Sequence, residues 1–161
     1  MNTDFVVLAN RIRQTISDLE QVIARVERAI RAAKRHQEDV DLYIDAIALN
    51  LHDFYSGLER IFRQIGSIVD RSTPASEGWH RDLLNQMCLD LPGIRPRVLS
   101  EQTCGDLDEF LRFRHIVRNV YAFRLDGDRV TELAREARKL NDQVANELHS
   151  FAEFLDQVGR I

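Results

Sequence analysis

The first 56 residues contain neither glycine nor proline, and this feature restricts the fold more than any other. Over that stretch apolar residues recur at steps of three and four, the spacing that places side chains on one face of an α-helix. A polar break, RHQED at residues 35–39, interrupts the pattern once, after which it resumes as far as Ile68. The spacing therefore predicts two long amphipathic helices that form an antiparallel hairpin.

Turn-forming residues cluster in two later segments, RSTPASEG at 71–78 and LPGIRP at 91–96. Between them, WHRDLLNQM predicts a short third helix. A fourth helix is predicted from about Asp106 to Leu125, ended by Asp126 and Gly127, and a fifth helix follows from Val130. Because strand-like alternation and internal repeats are absent, we expect residues 1–161 to form one all-α, up-and-down bundle of about five helices in a single domain.

The charge, the arginine content and the cysteines of the chain limit the kinds of protein it can be. The formal net charge is -4, which argues against a surface that is basic throughout, yet only Lys34 and Lys139 among the 22 basic residues are lysines. Arginine suits bidentate contacts with phosphate or carboxylate better than lysine does. Cys88 and Cys104 lack CxxC spacing, so we expect small buried or half-buried residues and not reactive thiols. With no apolar run of signal-peptide or membrane-span length, we expect a soluble, cytoplasmic protein.

The segment RFRHIVRNVYAFRLD, residues 112–126, concentrates positive charge on the predicted fourth helix. Its arginines are Arg112, Arg114, Arg118 and Arg124. The apolar stripe predicted to be buried on this helix is Phe110, Phe113, Val117 and Val120. No acidic residue lies between Arg112 and Arg124, so the cluster is either an anion site or a set of partners for carboxylates on neighbouring helices.

The usual sequence signals of an enzyme are missing from this chain. It has no glycine-rich phosphate loop, HExxH motif or nucleophile elbow, and its five histidines are scattered. We therefore predict no metal site and no cofactor. A coiled-coil or adaptor bundle whose arginines form salt bridges is the simplest alternative to an active site.

At residues 112–121 the chain resembles the HEPN superfamily. RFRHIVRNVY is similar to the RxxxxHxY motif of HepT-like toxins from bacterial toxin-antitoxin pairs, and LHDFYSGLERIF, GWHRDLLNQM and RPRVLS resemble the segments before it. The resemblance implies a helical, dimeric, metal-independent ribonuclease of a type VII-like system, with its cleft shared between two signature helices. It also implies an antitoxin partner, a minimal nucleotidyltransferase that in some systems adenylylates the signature tyrosine.

Matched position by position, the signature arginine falls on Arg114, its polar neighbour on His115 and the tyrosine on Tyr121. If the cluster is an anion site, Arg112, Arg118 and Arg124 add phosphate-binding charge. The signature histidine falls on Asn119, and an amide cannot move protons near neutral pH as an imidazole does. Losing such a group costs about a hundred- to ten-thousand-fold in rate, so we expect this chain to be inactive or weak.

Three questions stay open at this point. Asn119 is compatible with a natural chain that has lost activity and with a substitution made so that a toxic protein could be expressed. Positions 114 and 119 differ by ~140° around a helix, which favours a site completed by a second copy. On helix two, Glu59 belongs to a stripe with His52, Tyr55 and Arg63 that suits surface pairing, although Glu59 could instead orient a signature arginine. A non-catalytic module that binds nucleotides or a partner is the second hypothesis for the whole chain.

Overall fold

A computed structural model describes residues 1–161 and contains five α-helices and no strands. The helices are α1 (Thr3–Arg35), α2 (Val40–Ile65), α3 (Trp79–Met87), α4 (Glu101–Asn119) and α5 (Gly127–Gly159). Short 3-10 turns at Gln37–Asp39 and Ala122–Arg124 precede α2 and α5, and a π-helical turn, Gly66–Asp70, extends α2. The predicted all-α bundle is confirmed. None of the helices combines the length and the apolar character that crossing a membrane requires.

The long helices α1, α2 and α5 form the body of the bundle. Helix α1 packs along both α2 and α5, while α4 lies mainly on α2, and the short α3 contacts α2 and α4. Every α-helix contributes to one cluster of buried apolar residues. Helices α1 and α2 approach closely at Gly57, where an added Cβ atom would lie 3.1 Å from Leu19 Cδ2 and would have to displace it by a few tenths of an ångström. This packing leaves the end of α4 next to the start of α3.

The prediction for the fourth helix is wrong at both ends. The helix begins at Glu101, where the Ser100 side chain caps it by accepting a hydrogen bond from the Thr103 amide. It ends at Asn119, whose side-chain amide donates to the His115 carbonyl at 2.7 Å and so competes with the helical backbone. Val120 is extended and exposed, not buried as predicted. Asp126 caps the start of α5 and does not end α4.

The cysteines are half-buried, as predicted, but their pairing was not foreseen. Cys88, at the end of α3, forms a disulfide with Cys104 in the first turns of α4, and the two Cα atoms are 6.4 Å apart. The bond links the two helices across the loop that carries LPGIRP. The sequence separation of 16 residues gives no CxxC-like signal, so only the folded packing brings the sulfur atoms together.

Candidate functional site: a basic cleft between α3 and α4

A cleft of about 670 Å³ lies between the last turns of α4 and the first turn of α3. Residues from the α3 side are Glu77, Gly78, His80 and Arg81. Residues from α4 are Leu111, Arg112, Arg114, His115, Ile116, Arg118 and Asn119. The lining is thus mostly polar and carries four guanidinium groups against one carboxylate.

Arg114 is the most buried cation of the cleft, with 9 % of its surface exposed. Its Nε atom donates a hydrogen bond to Ser56 Oγ at 3.1 Å, and its terminal nitrogen lies 3.5 Å from Glu59 Oε1. Both partners belong to α2, which passes beneath α4. The guanidinium is therefore held in place from below, and it still lines the cleft.

Glu59 is the carboxylate that joins the cleft to α2. Only 5 % of its surface is exposed, and its second oxygen, Oε2, lies 2.6 Å from His80 Nδ1. A carboxylate can only accept, so Nδ1 carries the hydrogen in this contact. One buried side chain thus contacts Arg114 of α4 and His80 of α3, so of the two alternatives for Glu59 the contact with the signature arginine is observed and surface pairing is not.

Tyr55 lies beside this group and is completely buried. Its hydroxyl has no hydrogen-bond partner. Burial is the main cause that raises the pKa of Tyr55, and the negative charge of Glu59 adds to the effect. The phenol therefore stays neutral and contributes packing beneath the cleft.

The remaining arginines differ in how freely their charge is available. Arg112 is exposed and pairs with Asp108 one turn earlier at 3.0 Å, and Asp108 also pairs with Arg81. Arg118 is exposed, lines the cleft and pairs with no carboxylate. Of the two alternatives left open for the cluster, pairing with carboxylates therefore describes Arg112 and Arg114, and Arg118 keeps its charge available for an anion.

Tyr121 and Arg124, the predicted site residues beyond the end of α4, lie outside the cleft. Tyr121 follows the end of α4, is 73 % exposed and stacks on Phe123 with ring centroids 5.6 Å apart. Arg124 lies over the other aromatic ring of this pair, Phe123, at 5.6 Å. Because α4 ends at Asn119, Tyr121 does not share a helical flank with Arg114 and Arg118 as predicted.

The residues of α4 that the sequence singled out are brought together: Arg112, Arg114, His115, Arg118 and Asn119 all line the cleft. Arg114 and Asn119 meet there within a single chain, although an ideal helix separates them by ~140°. Sequence reasoning did not single out His80 as a site residue. No short-range signal could have found it, because its partner Glu59 is 21 residues away on another helix.

The fold and the cleft together define a small helical protein with a cluster of arginines at one end of a signature helix. A family model described as HepT-like protein matches residues 46–155, which include most of α2, all of α3 and α4, and most of α5. This is more than half of the chain, so the chain belongs to the HepT-like family. The predicted family is confirmed. No curated protein and no solved structure matches the chain.

Proposed function

We propose that this protein is the toxin of a HEPN-type toxin-antitoxin pair and that it cleaves RNA in the cleft between α3 and α4. The observation that carries the proposal is the buried guanidinium of Arg114, fixed by Glu59 and Ser56 and lining a cleft with further arginines. Membership of the HepT-like family supports the same activity. The reaction implied is metal-independent and needs no cofactor.

The chemistry assigned to the cleft is attack of a ribose 2′-hydroxyl on the neighbouring phosphate. Negative charge builds up on the phosphorane oxygens during this step, and a preorganised guanidinium stabilises that charge. Arg114 has this role because its own position is fixed before substrate arrives. Arg118, which has no carboxylate partner, and the exposed Arg112 bind flanking phosphates.

Asn119 limits the rate of this reaction. Its side-chain amide is engaged with the His115 carbonyl and cannot exchange a proton as the signature histidine does. Asn119→His is therefore expected to raise RNA cleavage by about a hundred- to ten-thousand-fold. His115 lines the same cleft but is exposed and has no hydrogen-bond partner that would fix its ring.

The test measures cleavage of a mixed cellular RNA pool by purified protein in the presence of chelator. Asn119→His should cleave, and Arg114→Ala in that background should abolish cleavage. Arg135→Ala is the matched control, since Arg135 is an exposed arginine of α5 that forms no salt bridge. Intact RNA after incubation with the Asn119→His protein would reject the ribonuclease proposal.

We further propose that the active form is a homodimer. Apolar side chains are exposed at and just beyond the end of α4: Ile116, Val120, Tyr121 and Phe123. Self-association would cover them and would bring two arginine clusters into one site on the two-fold axis. Light scattering should return twice the chain mass, and a monomer across micromolar concentrations would refute the dimer.

The antitoxin proposal concerns Tyr121. This tyrosine is the most exposed aromatic residue near the cleft apart from Phe123, so its hydroxyl is accessible to a nucleotidyltransferase. Adding adenosine monophosphate there would introduce a phosphodiester charge and bulk at the edge of the arginine cluster. Incubation with the cognate nucleotidyltransferase, ATP and magnesium should add whole adenylyl units to the intact mass. The increments should disappear in Tyr121→Phe and persist in Tyr43→Phe, and an unchanged mass with an active partner would reject modification.

A second candidate is a non-catalytic module that binds nucleotides or a protein partner. The observation that favours it is Asn119, which leaves the signature position without a proton carrier. This candidate predicts that the protein binds single-stranded RNA through Arg114 and Arg118 without cleaving it. Binding without cleavage by the Asn119→His protein would select this second function.

A further inference from the structure

We propose that His80, held by Glu59, is the proton-transferring residue of this site and that it takes the place left by Asn119. The inference rests on the proposed ribonuclease function and adds to it a catalytic residue outside the signature helix. It starts from a contact between side chains of three different helices, in which Glu59 of α2 touches both His80 of α3 and Arg114 of α4.

The geometry fixes the tautomer of His80. Its Nδ1 atom donates to the buried Glu59 carboxylate over 2.6 Å, so in the neutral ring the other nitrogen, Nε2, carries the free lone pair. The same relation between a buried carboxylate, an imidazole and a reacting group operates in acyl-transfer enzymes, where the carboxylate orients the imidazole and supports its positive form. Nε2 makes no hydrogen bond within the protein and is free to accept a proton from a bound group.

The position of the ring is also fixed. His80 stacks on Trp79 with ring centroids 3.6 Å apart, and the guanidinium of Arg63 lies over the Trp79 ring at 4.9 Å. The side chain is 29 % exposed and lines the same cleft as Arg114 and Asn119. His115, the other histidine of the cleft, has no such support. A general base must be within reach of its proton and correctly oriented, and His80 is the histidine that meets the second condition.

The reaction needs no reactant other than the RNA and a water molecule. Nε2 of His80 removes the proton of the 2′-hydroxyl as that oxygen bonds to phosphorus. The bond from phosphorus to the 5′-oxygen breaks, and the departing oxygen takes a proton from a water molecule. The imidazolium then returns its proton to the hydroxide so formed, leaving a 2′,3′-cyclic phosphate, a 5′-hydroxyl and neutral His80. Arg114 stabilises the phosphorane. Glu59 is a positioning residue for both Arg114 and His80.

The experiment compares single-turnover cleavage of a labelled oligoribonucleotide with chelator present, across pH 5 to 9. The proteins are the parent chain, His80→Ala, Glu59→Gln and Asn119→His, with His149→Ala as control because His149 is an exposed histidine of α5. Binding of the matching 2′-deoxy oligonucleotide, which cannot react, reports whether each variant is folded and its cleft intact.

The parent chain should cleave slowly, with a rate that rises with pH, because a general base accepts a proton only in its unprotonated form. His80→Ala should lower the rate by about a hundred- to ten-thousand-fold, with binding of the 2′-deoxy strand retained, and added imidazole should restore part of the lost rate. Glu59→Gln should change the pH profile of cleavage as well as its rate, which a merely structural contact would not do.

Three outcomes would overturn the inference, and they separate it from the proposed function. If His80→Ala cleaves as fast as the parent, His80 has no part in the chemistry while the ribonuclease function stands. If the parent is inactive and Asn119→His is active, the function again stands and His80 is not a substitute proton carrier. If no protein of the series cleaves RNA, the proposed function fails and the inference fails with it.

Discussion

The ion pair between Asp70 and Arg95 is buried completely and offers a sharp test of what holds α3 and the following loop in place. Their side chains are 2 % and 0 % exposed. Arg95 donates from Nε to Asp70 Oδ1 at 2.5 Å and from a terminal nitrogen to Oδ2 at 2.8 Å. Its other three N–H groups donate to the carbonyls of Leu89, Pro96 and Gln86. All five donors of the guanidinium are therefore used.

Replacing Arg95 with methionine would leave the Asp70 carboxylate buried with one remaining side-chain donor, the amide of Gln86 at 2.7 Å. Removing one partner of a buried pair costs about 3–5 kcal/mol, because the other charge stays without compensation. Domains of this kind are stable by about 5–15 kcal/mol. With a urea m-value of about 2 kcal/mol/M, the unfolding midpoint should fall by about 2 M.

Urea unfolding followed by circular dichroism measures this loss, and a double-mutant cycle assigns it. Asp70→Leu combined with Arg95→Met removes both charges, so the double variant should be more stable than Arg95→Met alone. Arg97→Met is the matched control, since the neighbouring Arg97 pairs with Asp90 at 3.5 Å on the surface. A midpoint for Arg95→Met within 0.5 M of the parent, about 1 kcal/mol at this slope, would contradict the reasoning.

Three further predictions concern stability. Arg138 lowers the pKa of Glu27 mainly through a hydrogen bond, so Arg138→Leu should cost about 0.5–1 kcal/mol at pH 7 for this half-exposed pair. That cost should shrink as pH falls below 4.5 and Glu27 is protonated; a cost independent of pH in acid titrations would refute it. Tyr55→Phe should be neutral or stabilising by about 1 kcal/mol, since the hydroxyl is buried without a partner. Because the pKa of Tyr55 is raised in the folded state, the parent should lose stability above pH 10 and the variant should lose less, and parallel curves would count against this. Reducing the bond between Cys88 and Cys104 should lower stability by about 3 kcal/mol. A reductant should therefore lower the melting temperature of the parent and leave that of the Cys88→Ala, Cys104→Ala protein unchanged.

The sequence predicts the bundle well because helical periodicity is a local property. A core face repeats every three or four residues along α1, α2 and α5, and the burial of these helices follows that spacing. The end of α4 was mispredicted because the apolar spacing continues through Val120 and Tyr121, whereas the backbone is extended from Val120.

The site was predictable only as far as it lies on one helix. Arg114, His115 and Asn119 were grouped by the resemblance to the RxxxxHxY motif, which spans about two helical turns, and the cleft contains all three. The contact between Glu59 and His80 depends on how α3 packs against α2, which no spacing rule specifies. Glu59 was assigned to a surface stripe because a charged residue on a helix is usually solvated.

Asp70 and Glu59 are both buried carboxylates, but their partners differ in how many hydrogen-bonding groups they leave unused. Asp70 receives two short hydrogen bonds from a guanidinium that is itself saturated and sealed from solvent, an arrangement that leaves nothing for a ligand. Glu59 faces a more distant guanidinium at 3.5 Å and an imidazole whose second nitrogen is free. A buried carboxylate with weaker compensation costs stability, and such costs concentrate where groups must be held ready for substrate. His80 and Arg114 both line the cleft, so in the reaction that we propose Glu59 positions both groups for one phosphate.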